Sequence, residues 1–241
     1  GIGEALKALE ASAWWGDRRT RPPLLEAEPF DRKDLRTLYE VEARGLLEAA
    51  GVPVPRGLVV PVVDAVVASA SLTGRVVVKA TGMAHKTEAG RVAVDLAGAA
   101  EVGAALAGMG LADDAPVLVE EFVDDAVVEL LVSVRREPPV GWLLTLGIGG
   151  TLVELLGDTT SLLLPVDADE VLAALRGLAG WPLIEGHRGN PPADLDALVA
   201  TILGIVGVVE VRPDLVELEC NPVLARPVGA ITVDALAIVV D

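Results

Sequence analysis

Apolar residues follow helical spacing in some segments of the chain and strand-like runs in others. Residues 34–51 carry apolar positions close to a helical repeat and end at Gly51, which predicts an amphipathic helix. β-Branched runs at 75–80 and 91–96 predict two strands separated by a polar, glycine-bearing loop. The first half of the chain is therefore predicted to mix helices and strands, with further helices over 63–73 and 99–109.

From residue 116 onwards the pattern changes to closely spaced apolar runs separated by short Gly, Pro and Asp breaks. Such spacing predicts adjacent, mostly antiparallel strands. Helices are expected over 167–179 and 194–208, and the chain closes as strand, loop, strand. The fold class is thus α/β, or more strictly α+β.

Three regions follow from this pattern. Residues 1–33 form an N-terminal appendage with a paired Trp14–Trp15, which could dock on a partner or, as we favour, fold back onto the domain. Residues 34–112 form a small mixed lobe, and residues 113–241 form a larger lobe. A cleft between two lobes is the usual place for a small-molecule site.

Charge and cysteine content narrow the function classes. The 241-residue chain has a formal net charge of −17, so it repels nucleic-acid backbones and anionic membranes. Its apolar runs are shorter than the ~20 residues that span a bilayer, and no signal peptide is apparent. Cys220 is the single cysteine, which excludes an internal disulfide. We therefore expect a soluble, cytoplasmic protein.

Two basic side chains are candidates for phosphate chemistry. Lys79 ends an apolar strand, where a lysine is costly to bury unless it meets an anion. His85 lies on a polar loop between Gly82 and Gly90, and an imidazole is a competent nucleophile that titrates near neutral pH. Taken locally, a solvent-facing lysine and an ordinary surface histidine explain both patterns better.

Carboxylates recur at the ends of the predicted strands. Hard oxygen ligands from neighbouring strands are what a Mg²⁺ ion that bridges phosphates requires, although any one of them is more often a solvated surface group. Glu217 and Glu219 are two apart and share one strand face. The glycine cluster at 147–150 permits close backbone approach to a ligand but also suits a tight turn. The oxygen-bearing candidates are Glu120, Glu121, Glu129, Glu154, Asp158, Glu217, Glu219, Asn221 and Asp234.

The order of six sequence blocks resembles one known family. The blocks are VVVKA, HKTEAG, VLVEEFV…VEL, GIGGTLVELLGD, LIEGHRGNPPADLDAL and ELECNPV…VDA. They resemble the ATP-grasp subunit or domain of ADP-forming (NDP-forming) acyl-CoA synthetases, relatives of the succinyl-CoA synthetase β subunit, over about residues 36–238. The resemblance implies an ATP-grasp fold with a nucleotide cleft between two lobes. It also implies the reaction of an acid, CoA and ATP to acyl-CoA, ADP and phosphate through a phosphohistidine.

The resemblance implies a role for each matching residue. His85 would relay a phosphoryl group between the nucleotide and a second histidine, and Glu219 would face that incoming phosphohistidine. Asn221 and Asp234 would hold Mg²⁺. ATP or ADP would be bound by the remaining residues: Lys79 at the phosphates, Glu121 at the adenine hinge, Glu129 toward the ribose, and the neighbouring Glu120, Gly149 and Gly150.

The second histidine and the CoA site would belong to a partner subunit or domain, so a hetero-oligomer is expected. Three departures from the family pattern keep alternatives open: Arg91 replaces a glycine, Leu162 replaces an arginine, and Thr81–Gly82 replace Ser-Pro. A degenerate or regulatory nucleotide-binding module is one alternative. An ATP-grasp carboxylate–amine ligase is another, although such a ligase needs no histidine loop.

Overall fold

The computed structural model describes residues 2–18, 22–83, 89–149 and 157–241. His85, Gly150 and Glu154 lie outside the described residues. The first helix is α1 (Ile2–Arg18), and a short 3₁₀ helix spans Arg32–Asp34. None of the described helices combines the length and the apolar character needed to cross a membrane.

The larger sheet has seven of the described strands, all paired antiparallel in the order β1-β11-β9-β6-β7-β8, with β10 beside β9. These strands are β1 (Leu35–Leu38), β6 (Val128–Glu137), β7 (Gly141–Ile148), β8 (Thr159–Leu163), β9 (Leu215–Ala225), β10 (Ala230–Thr232) and β11 (Ala235–Val240). The helices that pack with it are α2 (Glu40–Ala49), α5 (Ala168–Arg176), α6 (Trp181–Ile184) and α7 (Leu195–Val211). We call this assembly the larger body.

The smaller sheet has four strands in the order β2-β5-β3-β4, again all antiparallel. They are β2 (Gly57–Pro61), β3 (Val76–Ala80), β4 (Val92–Leu96) and β5 (Pro116–Glu121), and they pack with α3 (Val62–Ser69) and α4 (Ala99–Met109). We call this assembly the smaller body. Its elements follow one another without interruption between α2 and β6.

All five residues of β3 are buried, because this strand is covered on both faces. Val76 and Val78 pack into the smaller core with α3 and α4. Successive side chains of a strand point to opposite faces, so Val77 and Lys79 lie on the other face. That face carries the first candidate site residue.

The predicted strands at 75–80 and 91–96 and the predicted helix at 99–109 are confirmed. The single helix predicted over 34–51 is wrong in its first part. Residues 35–38 pair with the carboxyl-terminal strand β11, and this pairing satisfies their backbone groups without a helix. Tyr39 then precedes the first helical residue of α2.

The two sheets divide the chain at other points than the predicted lobe boundaries. Leu38 and Ala43 contribute to the larger core, although the small lobe was predicted to begin at residue 34. Strand β5 belongs to the smaller sheet, although the large lobe was predicted to begin at residue 113. The division depends on strand pairing, which the local pattern does not specify.

Residues 25–30, at the end of the appendage, lie against the larger body. That the paired tryptophans fold back onto the domain stays a prediction. The Leu25 N–H donates to the Leu164 carbonyl over 3.0 Å. The Arg136 guanidinium lies 5.9 Å from the Phe30 ring centroid and 5.3 Å from that of Trp142. This cation–π arrangement clamps the segment to the β6–β7 hairpin. The side chains of Trp14 and Trp15 lie outside the described part.

Candidate functional site

The Lys79 side chain is buried between the two bodies, with 6% of its surface exposed. Its Nζ donates to Glu40 Oε1 over 2.6 Å and to the Val233 carbonyl over 2.5 Å, and lies 2.7 Å from Glu120 Oε1, to which it is also hydrogen-bonded. The alternative in which this lysine leaves the strand for solvent is therefore wrong. An ammonium group has three N–H donors, and all three have acceptors here.

Four charged side chains form a continuous chain of contacts, which we call the charge chain: Glu40, Lys79, Glu120 and Arg44. Arg44 Nη1 donates to Glu120 Oε2 over 2.8 Å, and Arg44 Nη2 donates to the Pro55 carbonyl. The four charges sum to zero, and each carboxylate meets at least one cation, which buried ions require. Because α2 belongs to the larger body and β3 and β5 to the smaller one, the charge chain links the two bodies.

The ionisation of the charge chain depends on its contacts. Burial alone would lower the pKa of Lys79, but the carboxylates of Glu120, Glu40 and Asp234 outweigh burial and raise this pKa above its usual value. Burial raises the pKa of Glu120, against the opposing effects of Lys79 and Arg44. Lys79 is thus held as an ammonium ion, and the two cations are what favour the charged form of Glu120.

Glu40 and Arg44 were not among the residues predicted from the sequence. The buried positions of α2 are Glu40, Ala43 and Leu47, which recur at helical spacing. Glu40 therefore occupies a core-facing position of an amphipathic helix. This position was the available signal, because a carboxylate on the apolar stripe needs a buried cation as partner.

Asp234 and Asn221 meet where β9 and β11 pair. The Asn221 N–H donates to the Asp234 backbone carbonyl over 3.1 Å, and both residues are half-buried. Asp234 also lines a cavity together with Glu40, Arg44 and Glu120. The two residues predicted to hold a metal are therefore adjacent to the charge chain.

This donor set suits Mg²⁺ bound through a phosphate ligand. No group of three or more His, Cys, Asp or Glu side chains within residues 2–18, 22–83, 89–149 and 157–241 is arranged to hold a metal ion. Mg²⁺ usually takes one or two protein carboxylates and completes its octahedron with water and substrate phosphates. Asp234 and Asn221 supply a carboxylate and an amide oxygen of that kind.

Glu219 lies on the open face of the larger sheet, opposite Ser133 on one side and Leu236 on the other. Cys220 points the opposite way and is fully buried, and burial, with Glu219 and Asp234 nearby, raises the pKa of its thiol. The prediction that Cys220 is a buried residue is therefore confirmed.

Two of the residues predicted to contact the nucleotide, Glu121 and Glu129, lie apart from the charge chain. Glu121 accepts hydrogen bonds from the Thr73 N–H over 3.1 Å and from Thr73 Oγ1 over 2.6 Å, which lower its pKa. Because neighbours on a strand alternate, Glu121 points away from the face that carries Glu120. Glu129 is exposed and lies four residues, or about 13 Å along the strand, from the position opposite Glu219.

Gly149 approaches the backbone of its own protein rather than open space. Its N–H donates to the Glu129 carbonyl over 2.6 Å, and a Cβ at this position would lie 2.6 Å from the carbonyl carbon of Leu130. Gly149 thus holds the end of β7 against β6. Only a residue without a side chain fits there.

Gly149→Ala is expected to lower the free energy of unfolding by about 1–3 kcal/mol, because β6 must shift to admit the methyl group. Urea denaturation monitored by circular dichroism measures the change. Gly45→Ala is the matched control: Gly45 lies within α2 with open space around it. Alanine is the better helix former, so this control should gain about 0.5–1 kcal/mol. Equal changes in the two variants would contradict the close-packing argument.

The departures from the family pattern have distinct surroundings. Leu162 is partly buried and packs against the larger core. Thr81 Oγ1 donates to the Pro116 carbonyl over 3.0 Å. Arg91 Nη1 is buried and has no hydrogen-bond partner among the described residues. The side chain of Leu162 thus contributes to packing in this fold, and that of Thr81 contributes a hydrogen bond.

Comparison with known sequences identifies relatives of the chain. Residues 30–239 match the sequence model of the ATP-grasp domain. An ADP-forming acetate–CoA ligase of Methanocaldococcus jannaschii is 30% identical over 196 residues, which cover 76% of this chain and 28% of the ligase. The β subunit of ADP-forming acetate–CoA ligase I of Pyrococcus furiosus is 28% identical over 211 residues, which cover 83% of this chain and 90% of the subunit.

Solved structures agree with these relatives. A dinucleotide-forming acetyl-coenzyme A synthetase 1 of Ca. Korarchaeum cryptofilum, in complex with coenzyme A and Ca-AMPCP, superposes with a TM-score of 0.78 at 27% identity. The match covers 85% of this chain and 93% of that chain. A second structure of that synthetase holds coenzyme A and Mg-AMPPCP, with its phosphohistidine segment pointing towards the nucleotide site; its TM-score is 0.73 at 29% identity, over 84% of this chain and 92% of that one.

Proposed function

Because this chain belongs to the ATP-grasp domain family, we propose that it is the nucleotide-binding component of an ADP-forming acyl-CoA synthetase. The observation that carries the proposal is the cluster at the junction of the two bodies. There the buried Lys79 donates to the carbonyl of Val233, the residue before Asp234. Asp234 in turn accepts a backbone hydrogen bond from Asn221, and this pair is suited to Mg²⁺. A cation and a Mg²⁺ site placed together are what a nucleotide polyphosphate requires.

The proposed reaction converts an acid, CoA and ATP into acyl-CoA, ADP and phosphate. At this chain, an imidazole nitrogen of His85 attacks the γ-phosphorus of ATP. The new N–P bond forms as the bond to the β-phosphate oxygen breaks, and ADP leaves with that electron pair. When bound, Mg²⁺ neutralises developing charge on the phosphate oxygens. The protein contributes positioning and charge compensation, with Lys79 at the phosphates and Glu219 facing the second histidine.

The second histidine and the CoA site belong, in this proposal, to a partner subunit or domain. The P. furiosus relative is named as a β subunit, and the Korarchaeum structures hold coenzyme A together with a nucleotide analogue. An acyl phosphate forms or is consumed at the partner's site, and acid specificity lies there as well. A hetero-oligomer and a cytoplasmic setting complete the proposal, the latter because the single Cys220 leaves no internal disulfide.

A module that binds nucleotide without turnover is the second candidate. Leu162 and Arg91 favour it, since the family pattern has an arginine and a glycine at these positions. Leu162 contributes packing instead of a charge. The two candidates agree on nucleotide binding and differ on phosphorylation of the chain.

The experiment is incubation of the purified chain with Mg²⁺ and γ-labelled ATP, followed by a search for acid-labile, base-stable label on the protein. We expect label that disappears in His85→Ala. His187→Ala is the matched control, because His187 is the other histidine of the chain and is exposed in the segment between α6 and α7. The label should remain on this variant.

Thermal stabilisation by ATP without any label would favour the module without turnover. Label that survives in His85→Ala would contradict the role of His85. A chain that neither binds nor is labelled by ATP would contradict both candidates.

A further inference from the structure

Two segments of the chain join the smaller body to the larger one, and in the first of them, residues 53–56, the change from one body to the other is abrupt. The Pro55 carbonyl accepts a hydrogen bond from Arg44 Nη2, which belongs to the larger body. The carbonyl of the next residue, Arg56, accepts from the Glu121 N–H at the end of β5 over 2.9 Å. Bending in this segment is therefore confined to the backbone around Arg56.

The second connecting segment, residues 122–127, is held to the larger body through a side chain. Arg226, which follows β9, donates from Nε to Asp125 Oδ1 over 2.5 Å and from Nη2 to Asp125 Oδ2 over 2.8 Å. Such a two-point contact between a guanidinium and a carboxylate fixes their relative orientation as well as their distance. The ion pair therefore fastens the middle of this segment to the larger body.

The Arg226–Asp125 pair is better suited to hold a segment than an ordinary surface ion pair. Arg226 is itself fixed by its backbone: its N–H donates to the Gly229 carbonyl over 3.2 Å, and its carbonyl accepts from the Asp194 N–H over 2.8 Å. The hydrogen bonds from Arg226 lower the pKa of Asp125, so this carboxylate stays charged at neutral pH.

Without this ion pair, the free part of the second segment would be longer. The Phe122 N–H donates to the Arg75 carbonyl, next to β3, over 2.8 Å, which fixes the start of the segment to the smaller body. Only residues 123–124 separate this bond from the ion pair, and in the described part of the chain neither forms a backbone hydrogen bond with either body. The next attachment to the larger body is the Val127 N–H, which donates to the last carbonyl of β9 over 2.8 Å. Losing the ion pair would thus extend the free part to residues 123–126.

We propose that Asp125 and Arg226 form a hinge clamp, which confines bending of the second segment to residues 123–124 and thereby keeps the two halves of the nucleotide site correctly placed. This inference rests on the proposed function, in which a nucleotide contacts Lys79 of the smaller body and a metal held by Asp234 of the larger one. A ligand that bridges two bodies binds only the fraction of molecules in which both are correctly placed, and its apparent affinity falls with that fraction. Asp125 and Arg226 are therefore positioning residues.

Spin labels on the two bodies measure the movement directly in the full chain. Val94→Cys on β4 and Leu183→Cys on α6 supply the label positions, since the two side chains are 57% and 43% exposed. The native Cys220 is fully buried and remains inaccessible to the label. In the ligand-free chain we expect a wider distribution of label-to-label distances in Asp125→Asn and in Arg226→Gln than in the wild type. The double variant should be no wider than either single variant, because both substitutions remove the same pair.

Asp214→Asn is the matched control. Asp214 and Arg212 form the same two-point contact with similar exposure, but both belong to the larger body, so the distribution should not change. A second pair of labels, at Val140 and Leu183, lies within the larger body and should give the same distribution in every variant. Isothermal titration with Mg·ADP should show about fivefold weaker binding for Asp125→Asn and unchanged binding for Asp214→Asn.

The outcomes separate this inference from the function on which it rests. Distance distributions and ADP affinities that match the wild type in both single variants would overturn the hinge clamp. Equal widening in Asp214→Asn, or between the two labels of the larger body, would also overturn it, since the effect would then not arise at the hinge. Widening with unchanged ADP affinity would overturn the part of the clamp in nucleotide binding. A wild-type chain that binds no ADP would contradict the proposed function, whereas the ligand-free distributions would still decide whether the clamp exists.

Discussion

Lys79→Met is expected to lower the free energy of unfolding by about 3–5 kcal/mol, because it leaves the carboxylates of Glu40 and Glu120 buried without their shared ammonium. Urea denaturation at pH 7.5 measures this loss. Lys33→Met is the matched control, since Lys33 is exposed on the 3₁₀ helix. The control should change stability by no more than about 0.5 kcal/mol.

The loss in Lys79→Met is also expected to depend on pH. Burial already raises the pKa of Glu120 in the wild type, and removing Lys79 takes away the main effect that opposes burial. A carboxyl group whose pKa is raised in the folded state contributes stability below its unfolded pKa, about 4.3, and loses it as pH rises through the folded pKa. The difference between wild type and variant should therefore be smaller near pH 4.5 than near pH 8. An equal difference at both pH values would show that the loss of Lys79 does not raise the pKa of Glu120 further.

Asp234→Asn is expected to weaken binding of ADP in the presence of Mg²⁺ by about a hundredfold, or about 2.7 kcal/mol. The substitution removes the only carboxylate of the proposed metal pair. In the presence of EDTA the sign should reverse, because Asp234 lies close enough to Lys79 to raise its pKa, and its charge repels phosphate. Isothermal titration with and without Mg²⁺ measures both changes.

Asp241→Asn is the control for this prediction. Asp241 is an exposed partner of Arg36 at the end of the chain, so its substitution should leave both affinities unchanged. If Asp234→Asn weakened ADP binding equally with Mg²⁺ and with EDTA, its effect would be on the nucleotide or the fold, and the assignment of Asp234 to the metal would fail.

Local patterns predicted those elements whose side-chain spacing is set within one segment. Strand β3 and helix α4 are of this kind, since their apolar periodicity is visible in the sequence. Strand β1 was missed because it is a strand only through its pairing with β11 at the far end of the chain. The same pairing places α2 in the larger body. The smaller body therefore begins after α2 and not at residue 34, as the sequence pattern predicted.

The candidate site, too, was predictable from the sequence only where its features are local. A lysine at the end of an apolar strand was visible as Lys79, but its partner Glu40 lies 39 residues away on a helix of the other body. Strand alternation separates Glu120 from Glu121. Glu120 is the one that faces Lys79, because Lys79 pairs with Leu118, two residues before Glu120. The sequence does not give that register.

The smaller body is an insertion within the larger one, because its elements are contiguous in the chain and lie between α2 and β6. It is therefore attached by two covalent connections, at residues 53–56 and 122–127. Two attachment points allow rotation about the line that joins them but prevent the inserted unit from drifting away. Because the charge chain lies between the two units, such a rotation must lengthen or exchange the Glu40–Lys79 contact. Opening of the cleft would therefore separate Lys79 from its two acceptors in the larger body, Glu40 and Val233, and leave it with Glu120 in the smaller one.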